Sequence, residues 1–248
     1  MRLRVLSYNI HRAIGIDRQF RPDRITGIIA AHAPDIAILQ EVDEGAPRSR
    51  EMNLARELAR ELGYEHYAMG HNVAMRKGRY GNATLSRWPI LRERNIDLTI
   101  GLRKRRGCQH TRIAVETPSG RMRPLEVFNL HLGLSALERE RQVSLLVHAR
   151  EFVSLPFDRS CLVAGDFNDW RSRLRPILVE LLAFRSATGG NAQRERATAT
   201  FPSFFPQGPL DRIYYRGPLR LLSARRCRLS LSRMASDHLP VIADFEVH

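Results

Sequence analysis

Apolar residues recur along this chain at two spacings, one of two residues and one of three to four, and each spacing marks a kind of element. Residues 2–9 alternate loosely and are rich in β-formers, which predicts a first strand. In residues 22–32, Ile25, Ile28 and Ile29 recur at helical spacing, and Pro22 suits a first helical turn. Residues 35–41 form a short apolar run closed by Glu41, read as a buried strand ending in a carboxylate. Residues 50–62 repeat Met52, Ala55, Leu58, Ala59 and Leu62, and Gly63 supplies a stop, so a helix is expected.

Residues 64–116 carry no helical pattern. Segments 64–69, 81–86, 90–98 and 111–116 read as successive strands, Pro118-Ser119-Gly120 as a turn, and 125–132 as another strand. Ser135 and Glu138 form a capping-box pattern that opens a helix running to about residue 152. Residues 161–165 form a short buried strand, and 174–184 a helix with Pro176 in its first turn. Residues 189–196 are a polar loop, and 210–215, 219–231 and 240–247 carry the last strands. Without a repeat or linker, the pattern fits one domain over residues 1–248, two sheets packed face to face with helices on their outer faces.

Composition narrows the class. The chain has 248 residues, 43% hydrophobic, enough for a sizeable core. No apolar run approaches the ~18 residues that span a bilayer, and the apolar part of the N-terminus is too short for a signal peptide. Cys108, Cys161 and Cys227 are far apart and odd in number, which indicates neither a zinc site nor a disulfide framework and makes a cytoplasmic location the expectation. The net charge of +14 favours phosphate-rich partners, such as nucleic acid or anionic lipid. Lysine occurs only at positions 77 and 104, however, and so strong an arginine bias is equally what codon usage on a solvated surface would leave.

Candidate chemistry sits at the ends of the apolar runs. Glu41, Asp166 and Asp237 each close a β-like stretch, and buried carboxylates are rare unless paired or bound to metal. Three converging oxygen donors, with Asn9 as a neutral fourth, suit a hard cation such as Mg²⁺. The competing reading of each carboxylate is a helix or turn cap. His131 lies two residues after Asn129, so both point to one face of a strand. His238 directly follows Asp237, and an imidazole there can donate to a phosphoryl oxygen or shuttle a proton. Asp211 either caps a turn or holds His238 in one tautomer.

Seven strings, in order, carry a resemblance. They are Ser7-Tyr8-Asn9, Leu39-Gln40-Glu41, residues 81–86, Asn129-Leu130-His131-Leu132, Gly165-Asp166-Phe167-Asn168, Leu210-Asp211-Arg212-Ile213 and Ser236-Asp237-His238. Together the chain resembles the endonuclease/exonuclease/phosphatase superfamily of metal-dependent phosphoesterases. The resemblance implies an α+β fold, a four-layer α/β/β/α sandwich of two mainly antiparallel sheets flanked by helices. It implies Mg²⁺, with Mn²⁺ as a substitute, held by Glu41 with Asn9 and Asp237. It implies that Asp166 orients or deprotonates the attacking water, that Asn168 holds a phosphate oxygen or positions that water, and that His131 contacts the phosphate. His238, oriented by Asp211, does likewise or moves a proton. Asn82 and Asn129 are carried over as substrate contacts, with turn chemistry the competing reading for Asn82.

The motifs identify the bond and not the molecule. Two loops are candidates for substrate contact: 99–108, with Arg103 and Arg106, and 200–209, with Phe201, Phe204 and Phe205. Basic residues near aromatics suit a nucleic-acid strand, or an anionic lipid headgroup beside an apolar chain. For Phe201 core packing is the expectation. The chain therefore reads as a phosphodiesterase, a nuclease by preference. The alternatives are a phospholipid or small-molecule esterase of the same superfamily and an inactive phosphate-binding module. No obligate protein partner is evident.

Overall fold

Alternation along strand β1 (Arg2–Asn9) sets out the layers. Leu3 and Val5 point into one apolar cluster and Leu6 and Tyr8 into another, so the strand is covered on both faces. The computed structural model describes residues 1–117, 120–189 and 197–247. Among them, β1 joins β2 (Ile36–Glu44), β3 (His66–Ala74), β4 (Arg79–Ser86), β11 (Leu219–Arg226) and β12 (Val241–Val247) in a sheet ordered β11-β12-β1-β2-β4-β3. The second sheet contains β5 (Ile90–Asp97), β6 (Gly107–Glu116), β7 (Met122–His131), β8 (Cys161–Asp166), β9 (Arg185–Ser186) and β10 (Asp211–Arg216), ordered β5-β6-β7-β8-β10-β9. Neighbours are antiparallel except for β1 with β2 and β7 with β8, one parallel pair in each sheet.

Three apolar clusters fill the spaces between four layers. Helices α1 (Pro22–His32) and α2 (Leu54–Leu62) cover the first sheet through Ile25, Ile28, Ile29, Leu54 and Leu58. A second cluster lies between the sheets, with Val5, Ile38, Val127, Ile213 and Phe245. The third lies over the outer face of the second sheet, under α3 (Ala136–His148) and α4 (Arg150–Val153). This is the expected sandwich, although both sheets are mixed. No helix among the described residues is long and apolar enough to cross a membrane.

The elements depart from the sequence pattern where local geometry overrides it. The helix expected over 50–62 begins only at Leu54, because Arg50 and Glu51 take positive φ and the Asn53 side chain caps Arg56 N–H. The helix from Ser135 breaks at Ala149, whose extended ψ of 141° separates α3 from α4. The segment 174–184 condenses to a π-helical turn at Ile177–Leu181. Strand 219–231 stops at Arg226, and its remainder leads into the short helix α5 (Ser232–Ala235). Strand β2 runs three residues past Glu41. The turn predicted at 118–120 and the loop at 189–196 fall largely outside the described residues.

Candidate active site

Between the sheets the packing is apolar at one end and polar at the other, and the candidate residues collect at the polar end. Asn9 closes β1, His131 closes β7 and Asp166 closes β8, so the parallel pairs deliver them together at their carboxyl ends. Register then places three side chains abreast, His131 opposite Asp166 and Asp166 opposite Asp211. Gly165 allows β8 this close to β7. A Cβ there would fall 1.9 Å from the Leu130 carbonyl oxygen, and its φ of +139° is strained for any other residue.

Asp166 is the centre of the row. One oxygen accepts from Asn168 N–H at 3.0 Å, and the other from the Asn9 side-chain amide at 3.0 Å. The second oxygen also lies 3.4 Å from His131 Nε2 and 3.7 Å from His238 Nε2. His238 Nδ1 bonds Asp211 at 2.9 Å, and Thr200 donates its hydroxyl to the same Asp211 oxygen. The loop carrying Asp237 and His238 is tied to β1 by Ser236 Oγ, which donates to Asn9 O at 2.7 Å. Asn168 lines the cavity and gives one N–H to Leu132 O, leaving the other.

Burial and charge split the titrating groups. Burial raises the Asp166 carboxyl above the ordinary carboxylate range; His238 opposes this and Asp211 adds to it. Burial alone would lower His238, but Asp211, Asp166 and Asp237 outweigh it and raise the ring to about 10. Burial pushes His131 well below its usual value, reinforced by Arg106, His238 and Lys104. At neutral pH the row therefore holds a neutral imidazole, a carboxylate that is a better base than usual, and an imidazolium.

Glu41 reaches the cavity through a bulge. Leu39 pairs with Ala83 and Val42 with Gly81, so Gln40 and Glu41 together oppose Asn82. Glu41 takes a φ of +57°, and Val42, not Glu41, fills the next apolar position against the helices. Its oxygens lie 3.5 Å from Arg12 Nε and 4.0 Å from His131 Nδ1, and the Tyr80 hydroxyl also interacts with this carboxylate. Asp237, on the same cavity, lies 4.0 Å from His11 Nδ1. The two carboxylates keep lone pairs for a cation. Asn9 is more committed, because Oδ1 accepts His11 N–H and Nδ2 serves Asp166. Two carboxylates and one amide oxygen fit a cation that keeps most of its waters, as Mg²⁺ does. Among the described residues no group of three or more His, Cys, Asp or Glu is placed to hold a metal ion by itself.

The cavity has a volume of about 580 Å³. Arg103, Lys104 and Arg106 form one side of its lining, and Trp170 and Phe201 another. Arg106 is buried, and among the described residues its Nε has no hydrogen-bond partner. Arg103 is held by Glu138 at 3.2 Å. Phe201 is not core packing: its ring lies tilted against His238, centroids 4.9 Å apart, and edge-on to Trp170 at 5.8 Å. Asn82 and Asn129, expected as substrate contacts, do not line the cavity. Asn82 donates to Gly107 O and Asn129 O, and Asn129 donates to Leu39 O and Ala83 O while accepting from Gln40. Both are buried struts between the sheets, because an amide there satisfies carbonyls that water cannot reach. Sequence reasoning passed over Lys104, Glu138 and Trp170. Lys104 lay in the basic loop 99–108 already singled out and Glu138 was read only as part of a capping box, whereas nothing local marked Trp170.

Comparison with known proteins places the chain and its fold. The chain matches the Endonuclease/Exonuclease/phosphatase family model over residues 6–238. It is 31% identical over 255 residues to the uncharacterized protein YbhP of Escherichia coli (strain K12), covering 99% of this chain and 96% of that protein. The fold is similar to an endonuclease/exonuclease/phosphatase structure from Beutenbergia cavernae DSM 12333, with TM-score 0.80 and 21% identity over 99% of this chain and 72% of that one. It is also similar to the human Nocturnin catalytic domain with bound sulfate, with TM-score 0.75 and 22% identity over 100% of this chain and 94% of that one. A family match spanning nearly the whole sequence makes this chain a member of the Endonuclease/Exonuclease/phosphatase family, whose enzymes are generally divalent-metal-dependent phosphoesterases.

Proposed function

We propose that this protein is a Mg²⁺-dependent phosphodiesterase that cleaves nucleic acid by in-line attack of water, with Mn²⁺ as a substitute metal. The observation that carries the reading is Asp166 set between two histidines, His131 Nε2 at 3.4 Å and His238 Nε2 at 3.7 Å. Asp166 orients the water and takes its proton. Asn9 and the Asn168 N–H fix the carboxylate for that task. The His238 imidazolium, steadied by Asp211, donates toward the phosphoryl group or the leaving oxygen. His131 and Asn168 contact phosphate oxygens. Glu41 and Asp237, with the remaining lone pair of Asn9, would hold the cation. When bound, the cation neutralises charge building on the phosphoryl and leaving oxygens.

The lining supports the substrate. Arg103, Lys104 and Arg106 suit phosphate, and the Trp170 face, half exposed at 51%, suits a stacked base. A phospholipid or small-molecule ester is the second reading, favoured by Leu134, an exposed apolar residue on the cavity lining. Free, buried thiols at Cys108, Cys161 and Cys227 support a reducing, cytoplasmic setting.

The test is incubation with supercoiled plasmid and with single-stranded oligonucleotide in Mg²⁺, with EDTA and Asp166→Ala as controls. Cleavage that requires both metal and Asp166 is expected. Cleavage of lipid or sugar phosphates alone would replace the nuclease reading, and wild-type turnover in Asp166→Ala would overturn the site.

A further inference from the structure

A second cavity, of about 300 Å³, lies across the segment that carries Asp237 and His238. His238 lines the catalytic cavity and the next residue, Leu239, lines the second. Arg226, Arg228 and Arg233 line it with Ser232 and Pro206, and among the described residues no carboxylate lines it. Arg226 is fixed by donating to Ala199 O at 3.0 Å. None of the three arginines has an ion-pair partner among the described residues. Other arginines nearby are paired, Arg225 with Asp244 and Arg220 with Glu246. Three like charges converging on one recess repel one another, and the arrangement is relieved by an anion.

The loop 200–209 joins the two cavities. Phe201 lines the first and Pro206 the second. Ser203 fastens the loop to both sides, its N–H donating to Asp237 O at 2.7 Å and its hydroxyl to Arg233 O at 3.0 Å. Between them Phe204 and Phe205 stand 61% and 64% exposed. Cations, then two free aromatic faces, then cations is the spacing of charge and stacking surface that a single strand presents in reverse.

We infer that the second cavity is a phosphate-binding exosite for the backbone of the same nucleic-acid strand whose scissile ester occupies the catalytic cavity. This rests on the nucleic-acid reading above. A strand is favoured over a bilayer because the arginines line a recess. A flexible strand can carry a phosphate into it, whereas a membrane surface is met by charges that stand proud.

The test is the double variant Arg228→Gln/Arg233→Gln, both exposed residues whose side chains hold no other element. Binding of fluorescein-labelled (dT)20 is measured in EDTA against salt for wild type and variant. The slope of log affinity against log salt is expected to fall by about 1.4, two contacts at ~0.7 each. In Mg²⁺, KM for (dT)20 is expected to rise about tenfold with the loss of these two phosphate contacts, with bis(p-nitrophenyl) phosphate turnover unchanged. An unchanged slope overturns the exosite, even if wild type cleaves strands and the nuclease reading stands. If wild type cleaves no strand but the slope falls, the phosphate site stands and the substrate reading fails. If the variant loses binding to phosphatidylserine vesicles while its oligonucleotide slope is unchanged, the site belongs to a membrane and the exosite is overturned.

Discussion

His238 Nδ1 donates to Asp211 Oδ2 at 2.9 Å, across 27 residues of sequence, and both groups are buried. The bond fixes the ring so that Nε2 faces Asp166 at 3.7 Å. Asp211→Asn replaces an acceptor with a group that can donate, and it removes the charge that keeps the ring protonated. We expect kcat to fall about 10²–10⁴-fold with KM nearly unchanged. Steady-state kinetics on any cleaved diester decides it, and a fall confined to KM would refute the pairing as a proton-handling device.

The same row sets a pH profile. Asp166 acts ionised, so activity rises as its carboxyl deprotonates, above the ordinary carboxylate range but below neutrality. His238 acts protonated, so activity falls only as the ring loses its proton near 10. A broad neutral plateau is expected. Asp211→Asn should bring the alkaline limb down, and an unmoved limb would assign it to another group.

Asn129 tests strut against substrate contact. Its amide serves Leu39 O and Ala83 O from inside the sandwich. Asn129→Ala strands those carbonyls and should cost about 2–6 kcal/mol of stability, at 1–3 for each buried group left unpaired. Urea unfolding reads that cost. A normal midpoint with a raised KM would restore Asn129 as a substrate contact.

Glu41 tests the cation. Glu41→Gln keeps the shape of the bulge and removes a charge. Calorimetric titration with Mn²⁺ should show affinity lower by about 10–100-fold, the scale of losing a group that supports a metal site. Equal affinity would move the metal elsewhere.

Far from the site, Asp244 holds Arg2, Arg4 and Arg225 together on the first sheet. Burial alone would raise it, but the arginine and Ser223 hydrogen bonds prevail and hold it well below the usual carboxylate range. A depressed folded-state value stabilises fully above the unfolded value of about 4, and the stabilisation is lost as pH falls toward the folded value. Asp244→Asn should cost about 1–2 kcal/mol at pH 7, reduced from a fully buried pair because the arginines are partly exposed. Unfolding at pH 7 and pH 3 should show the gap between variant and wild type shrinking in acid. A constant gap would exclude the charge as its cause.

Much of this was legible in the sequence. The period of two put Asn129 and His131 on one face of β7, Ile25, Ile28 and Ile29 marked the buried side of α1, and the Ser135 cap marked the start of α3. These are properties of neighbouring residues, and side-chain direction and capping depend only on local backbone geometry.

Other features belonged to the tertiary structure. The bulge that turns Glu41 into the cavity exists because β2 must pair with β4 while Val42 keeps its place against the helices. His131, Asp166 and Asp211 stand abreast only because β7, β8 and β10 adopt one register. Trp170 and Phe201 meet across 31 positions of sequence, and Asn9 meets Asp166 across 157. Asn82 and Asn129 look like polar strand-end residues until the second sheet closes over them. Sequence period fixed which way each side chain points; sheet packing, through contacts that no local pattern encodes, decided which of them face an open cavity and which are sealed between the sheets.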